Sequence, residues 1–256
     1  NVSWGVGAVL WPLVVAVLAR PADPSPATGA LAAACLVSSA AWLFAGYAGR
    51  AQPAGAPNRA PTPQPVPLKV AIAYGVLLLL YVGTETSIGG WVAELARRAG
   101  AARDSWTLAP AAFWTLQTGG RLLVPLVLRA APERGLLVGS LVAAGAVTVA
   151  LVTVLDRSTA IIAAAALAGL AVAPIFPLLW AGITRDVAPS RSSALGPLFA
   201  AGGAGGALLP WLVGIASDAT ASLSLAMLVP CSAIVVMLAL VPVAWRGEAR
   251  TQPASP

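Results

Sequence analysis

The chain of 256 residues contains no histidine, a single lysine and only two cysteines. Without histidine it can form neither the Ser/His pair of a rhomboid-type protease nor a histidine-ligated metal centre. Cys35 and Cys231 both lie within apolar runs, and neither stands at a metal-ligand spacing. Every aspartate lies near the end of an apolar run, which argues against a presenilin-type aspartate pair. We therefore expect no enzymatic activity, no metal and no cofactor.

Charged residues are also scarce. They make up 9% of the chain, whereas hydrophobic residues make up 59%, and an ordinary soluble domain carries about 25% charged residues. The net charge of +6 does not indicate a nucleic-acid partner, because the basic residues stand singly between apolar runs instead of forming a stripe. So few charges cannot cover a water-facing surface, and the composition therefore predicts a lipid bilayer as the surroundings.

Long apolar runs are abundant, and about 20 such residues span the hydrocarbon core of a bilayer. Barrel strands would alternate in hydrophobicity, whereas these runs are apolar all round. The sequence therefore predicts an all-α fold, a polytopic membrane bundle of about eight transmembrane helices. Their predicted ranges are 2–18, 27–47, 70–92, 108–128, 136–155, 159–183, 193–215 and 223–245.

One long polar stretch, residues 48–69, is rich in proline and predicts an extended, solvated linker. It separates two helices in residues 1–47 from six helices in residues 70–246, which a short tail, 247–256, follows. If the linker is cytoplasmic, about nine basic residues lie inside and about five outside. This bias predicts a multi-pass protein of the plasma membrane with the linker and the tail in the cytoplasm.

Two segments of the chain resemble each other. Residues 5–14 and 205–214 each have a glycine-rich face followed by adjacent proline and tryptophan residues, and they lie six predicted helices apart. Two six-helix halves related by an internal repeat would produce this spacing. Because the chain opens close to the first segment, we expect that upstream helices of the same protein are missing and would be its partners.

Further motifs follow in order along the six helices after the linker. They are residues 81–85 with Gly89-Gly90-Trp91, Phe113-Trp114 with Gly119-Gly120-Arg121, residues 173–177, and Leu209-Pro210-Trp211 with Gly214 and Ser217-Asp218. In this order around a proline-rich linker, the motifs resemble the major facilitator superfamily, particularly its fucose-permease-like and sugar-transporter-like branch. The resemblance covers nearly the whole chain.

The resemblance implies that the eight helices correspond to the fifth through twelfth of a twelve-helix transporter. It implies secondary active transport by alternating access, with a sugar or polyol as the favoured small solute. A proton or sodium ion is the expected coupling ion, as in a symporter. Two alternatives stay open: efflux of drugs or metabolites, and a transport-inactive membrane receptor or scaffold.

Two ionisable residues, Glu85 and Arg121, lie well inside apolar runs, where a charge costs about 2.5 to 3.5 kcal/mol and usually faces a cavity or a partner. Glu85 could bind solute hydroxyls, a proton or a cation, or only lock neighbouring helices together. Counting helical rise from the predicted cytoplasmic ends separates the two residues by roughly 12 Å along the membrane normal. We therefore expect no direct pair, and we expect Arg121 to reach toward the cytoplasm or anchor a loop.

The remaining candidates for the solute pathway are Tyr81, Gln117, Trp114 and Trp180. The Gln117 amide both donates and accepts hydrogen bonds, whereas the two tryptophans could stack on a sugar or simply pack. Weak points for gating or static kinks are predicted at Gly89, Gly90, Pro174 and Pro177. Close helix contact without a chemical role is predicted at Gly202, Gly203, Gly205 and Gly206.

Overall fold

The computed structural model of the chain describes residues 67–153, 158–187 and 195–245, together with Gly29 and Val37. The predicted helices 2–18 and 27–47, apart from those two residues, lie outside this part, as do most of the linker and the tail. Within the described residues the secondary structure is helical, without strands. The helices are α1 (Leu68–Arg98), α2 (Arg103–Val127), α3 (Glu133–Thr153), α4 (Ser158–Val172), α5 (Ile175–Gly182), a π-helical turn (Ile183–Val187), α6 (Leu195–Thr220), α7 (Leu223–Ala226) and α8 (Leu228–Ala244).

Five helical stretches are long and apolar enough to cross a membrane. They are Leu68–Arg98, Glu133–Thr153, Thr159–Val187, Leu195–Thr220 and Leu223–Ala244. Helix α2 has 25 residues, but Gln117 and Arg121 interrupt its apolar sequence, and it is not among the five. The chain is therefore all-helical where it is described, with the character of a multi-pass membrane protein.

The six ranges predicted as helices after the linker are helical wherever the structure describes them, apart from a turn at residues 173–174, but some of their ends differ from the prediction. Helix α1 begins at Leu68, so Leu68 and Lys69 belong to it and not to the linker. It continues to Arg98, six residues beyond its predicted end, and α2 begins at Arg103 instead of residue 108. Hydropathy misses the last turns of α1 because they are polar, and ion pairs from Glu94 to Arg97 and Arg98 stabilise them.

Helix α1 occupies the centre of the described bundle and packs against α2, α4, α6 and α8. Its large side chains are buried on several faces, among them Tyr74, Leu77, Tyr81 and Ile88. Helices α2 and α4 form a second close pair, and α3 packs against α4 and α8. A polar side chain on α1 therefore lies among helices on most sides.

Glycines allow α1 and α6 to approach closely. The Cα of Gly205 lies so near the backbone of Leu79 that an added Cβ would overlap its carbonyl, and Gly202 and Gly206 also face α1. The prediction of close helix contact is confirmed for these three positions. Among the described residues nothing lies within 4 Å of a Cβ added at Gly203, so no described helix makes the predicted close contact there.

Polar groups on α1 also satisfy the backbone of α6 near its proline. Pro210 has no N–H group, so the carbonyl of Gly206 loses its usual helical partner. The Thr86 hydroxyl, whose shortest contact is 2.7 Å to the Val82 carbonyl of its own helix, also lies 3.3 Å from the Gly206 carbonyl. Trp91 Nε1 donates to the carbonyl of Pro210 at 3.0 Å. The two helices are thus joined by hydrogen bonds where a membrane interior offers no water.

Helix interruption occurs at one of the predicted weak points. Helix α4 ends at Val172, and α5 begins at Ile175 after a turn that contains Pro174. Pro177 lies in the first turn of α5, where its missing N–H group breaks no helical bond. Helix α1 runs through Gly89 and Gly90 as continuous helix, and bending of α1 there during gating stays a prediction.

The outer face of α2 is apolar and exposed. Its leucines Leu116, Leu122, Leu123 and Leu126 are between 37% and 62% exposed. A row of exposed leucines of this kind is unfavourable in water and favourable against hydrocarbon. The opposite face of the same helix carries the polar residues that form the candidate site.

Candidate functional site

A buried ion pair joins α1 and α2. Arg121 Nη2 lies 2.7 Å from Glu85 Oε1, and the two side chains are only 13% and 5% exposed. The same Arg121 nitrogen donates to the Tyr81 hydroxyl oxygen at 2.9 Å. The structure therefore brings together three of the residues that the sequence singled out.

An aromatic ring from α5 completes this group. The guanidinium carbon of Arg121 lies 5.5 Å from the centroid of the Phe176 ring, within the range of a cation–π contact. The Tyr81 and Phe176 rings are 6.2 Å apart. We call Tyr81, Glu85, Arg121 and Phe176 the ion-pair cluster. In the sequence, Phe176 stands out only by its place in the 173–177 motif, two residues after Pro174.

The expectation that Glu85 and Arg121 lie too far apart to pair is wrong. It assumed that both helices reach the same level at the cytoplasmic side, but α1 has 31 residues and α2 has 25. The two helices share a level at their connecting turn. From there Glu85 lies 13 residues before Arg98 and Arg121 lies 18 residues after Arg103, so the offset between them is about 7 Å.

The direction of the side chains closes this remaining offset. In an α-helix each side chain leans toward the helix N-terminus. Because α1 and α2 run antiparallel through one connecting turn, Glu85 and Arg121 lean toward each other. Two long side chains then meet at 2.7 Å.

Gln117 lies one turn before Arg121 on the buried face of α2. Its side chain is fully buried, and neither its amide oxygen nor its amide nitrogen has a hydrogen-bond partner among the described residues. The hydroxyls of Thr84 and Thr118 are likewise buried without partners in that part of the chain. Unsatisfied polar groups in a protein interior are uncommon and costly.

The two candidate tryptophans are packed against other aromatic rings. Trp114 lies edge-on to Phe113, with ring centroids 4.8 Å apart, and also lies against Gly89. Trp180 lies on α5 one turn after Phe176, and its ring centroid is 4.9 Å from that of Phe199. Gly89 thus makes room for a tryptophan, which is a packing role. A stacking role on a solute stays a prediction for both tryptophans.

A second polar group lies near the N-terminal end of α1. The Tyr74 hydroxyl donates to Asp186 Oδ2 at 2.8 Å, and Arg185 pairs with Glu133 at 2.6 Å and with Asp186 at 3.1 Å. The Arg185 guanidinium carbon also lies 5.5 Å from the centroid of a Trp245 ring. We call these five residues the end cluster, which joins α1, α3, the π-helical turn and the end of α8. In the sequence, Arg185 stands out only as one of the basic residues at the predicted cytoplasmic helix ends.

No protein-family model and no curated protein sequence matches this chain. The chemistry of the ion-pair cluster is therefore read from its own groups. An acid, a guanidinium and a phenol surrounded by apolar helices can bind a polar solute, exchange a proton or brace two helices. Within the described residues no group of histidine, cysteine and acidic side chains could hold a metal ion.

Proposed function

We propose that the protein is a secondary active transporter that moves a small polar solute across the membrane by alternating access. The observation that carries the proposal is the buried Glu85–Arg121 pair. Ionisable groups inside apolar helices are costly and occur mostly where ions, protons or solutes are handled. A pair with only a bracing role could be replaced by apolar side chains without loss.

The position of the cluster beside a broken helix adds support. Phe176 lies two residues after Pro174 and contacts the cation of the pair. Transporters typically place their binding sites where a membrane helix is interrupted, because such helices can bend. A movement of α5 relative to α4 would therefore be transmitted directly to Arg121.

The arrangement that fits this function is the one implied by the major facilitator resemblance. The described helices then belong to the C-terminal six-helix half, and the helices predicted before the linker belong to the other half. The linker and tail would lie in the cytoplasm, with a sugar or polyol as the favoured solute and a proton or sodium ion as the coupling ion. The Glu85 carboxylate joins α1 to α2 through Arg121, and a proton can neutralise it. Such a pair is suited to ion coupling.

The test is counterflow in vesicles that contain the protein, with a panel of labelled hexoses and hexitols. We expect the wild-type protein to exchange at least one of these solutes and to accumulate it against a gradient when a proton or sodium gradient is applied. Glu85→Gln preserves size but removes titration and charge. We expect this variant to lose accumulation while it retains exchange.

Wild-type accumulation by both Glu85→Gln and Glu85→Ala, at normal protein levels and from mildly acidic to mildly alkaline pH, would contradict the coupling role. Solute binding without counterflow would favour the receptor or scaffold alternative. Exchange of apolar cations instead of the sugar panel would favour efflux. Leu116→Ala on the exposed face of α2 is the matched control, and we expect it to transport like the wild type.

A further inference from the structure

We infer that Gln117, with Thr84 and Thr118, forms a solute-binding layer that selects an uncharged, hydroxyl-bearing solute. This inference rests on the proposed transport function and assigns the residues that bind its solute. The structure assigns the layer from three observations: unpartnered buried polar atoms, a common level in the membrane and a compensated charge next to them.

The first observation is the burial of polar groups without partners. The Gln117 amide can donate two hydrogen bonds and accept two, yet within the described residues it makes none. Thr84 and Thr118 each add a hydroxyl in the same state. Such groups are retained where another molecule satisfies them, since apolar replacements would otherwise be favourable.

The second observation is that these groups share one level. Gln117 lies 14 residues after the start of α2, and Thr84 lies 14 residues before the end of α1. Each therefore lies about 21 Å along its helix from the turn that connects the two. Glu85 and Thr118 are their direct neighbours in sequence. Gly89 lies about one helical turn nearer to the connection between α1 and α2, where it contacts the rings of Phe113 and Trp114. This contact fixes the register of the two helices.

The third observation concerns charge. The positive charge of Arg121 is compensated by Glu85 at 2.7 Å, so the pair adds no net charge to the layer. A charged solute that entered would lose its hydration without gaining an unpaired counterion. A neutral solute with several hydroxyls loses less, and the amide and the two hydroxyls can both donate to it and accept from it.

The test measures how fast thiol reagents of different charge reach and modify a cysteine at position 117. Gln117→Cys is made in a background that carries Cys35→Ala and Cys231→Ala. The protein in vesicles is treated with three methanethiosulfonates: neutral hydroxyethyl, anionic sulfonatoethyl and cationic trimethylammonioethyl. Each rate is divided by the rate of the same reagent with a small thiol in solution.

We expect the neutral hydroxyethyl reagent to modify position 117 at least about tenfold faster than either charged reagent. Addition of Glu85→Gln removes the negative charge that compensates Arg121. The rate of modification by the anionic reagent should then rise at least about tenfold. Thr84→Cys is a nearly isosteric change on α1, the other helix of the layer. Its modification rates with the three reagents should fall in the same order as those of Gln117→Cys. It also serves if Gln117→Cys proves poorly folded.

Leu116→Cys is the control, because Leu116 directly precedes Gln117 in α2 and lies on the exposed face. Equal rates at positions 116 and 117 would show entry through the lipid and would overturn the inference. No reaction at positions 117 and 84 would show a sealed interior and would also overturn it, as would preference for a charged reagent. These outcomes leave counterflow unaffected. Conversely, a reactive layer without counterflow would contradict only the transport function.

Discussion

The ion-pair cluster and the end cluster contain the same chemical parts at two depths. Each has a tyrosine of α1, an arginine paired with acidic side chains, one in the ion-pair cluster and two in the end cluster, and an aromatic ring 5.5 Å from the guanidinium carbon. In the ion-pair cluster the charged side chains are 13% and 5% exposed, whereas Arg185 and Glu133 are 41% and 32% exposed. The two clusters differ mainly in their access to water.

This difference decides what each cluster can do. Water and salt screen the end cluster, so its charges contribute little and can separate at low cost. Loss of one partner in the ion-pair cluster leaves a buried charge without compensation, which is much more costly. A group that titrates, or a solute that displaces one partner, therefore has its greatest effect on the bundle at Glu85 and Arg121.

The largest expected difference comes from removal of the acid in each cluster. Glu85→Ala should lower the free energy of unfolding by about 3 to 5 kcal/mol, because Arg121 stays buried and uncompensated. Glu133→Ala should lower it by less than about 1 kcal/mol. Reversible unfolding in mixed micelles, followed by circular dichroism, measures both. Arg121→Met in the Glu85→Ala protein is the control and should restore much of the loss. Equal losses at the two sites would contradict the comparison.

A smaller difference is expected for the aromatic rings. Double-mutant cycles with Arg121→Met and Phe176→Leu, and with Arg185→Met and Trp245→Leu, isolate each cation–π coupling. We expect about 2 kcal/mol for the buried pair and about 0.5 to 1 kcal/mol for the pair at the end. A larger coupling at the end of the bundle would show that depth does not set the strength of these contacts.

The smallest effect should come from salt. Double-mutant cycles for Arg185 and Glu133 should show a coupling of about 0.5 kcal/mol that largely disappears at about 1 M salt. The Glu85–Arg121 coupling should change little, since both side chains are buried and salt screens buried pairs much less. The exposed pair between Glu94 and Arg98 is a matched control and should respond like the end cluster. Strong salt dependence at Glu85 would indicate that water reaches the pair in the resting protein.

The helical, membrane-like character of the chain follows from its amino-acid sequence alone. Composition and the length of the apolar runs depend on each residue's own transfer free energy, which requires no knowledge of neighbours. The same logic located Glu85, Arg121 and Gln117 as unusual residues, and it located the interruption at Pro174, because proline lacks an N–H group wherever it stands. Six helices after the linker followed from the same local properties.

Which of these residues contact each other depends on how the helices pack. The pairing of Glu85 with Arg121 depends on the unequal lengths of α1 and α2 and on the turn that aligns them. Phe176 joins them because the break at Pro174 places α5 against α1, and Gly89 makes room for the Trp114 ring. Tyr74, Glu133, Arg185, Asp186 and Trp245 come from four separate parts of the chain. Contacts of this kind arise from packing between distant segments, and local hydropathy carries no information about the register in which two helices pack.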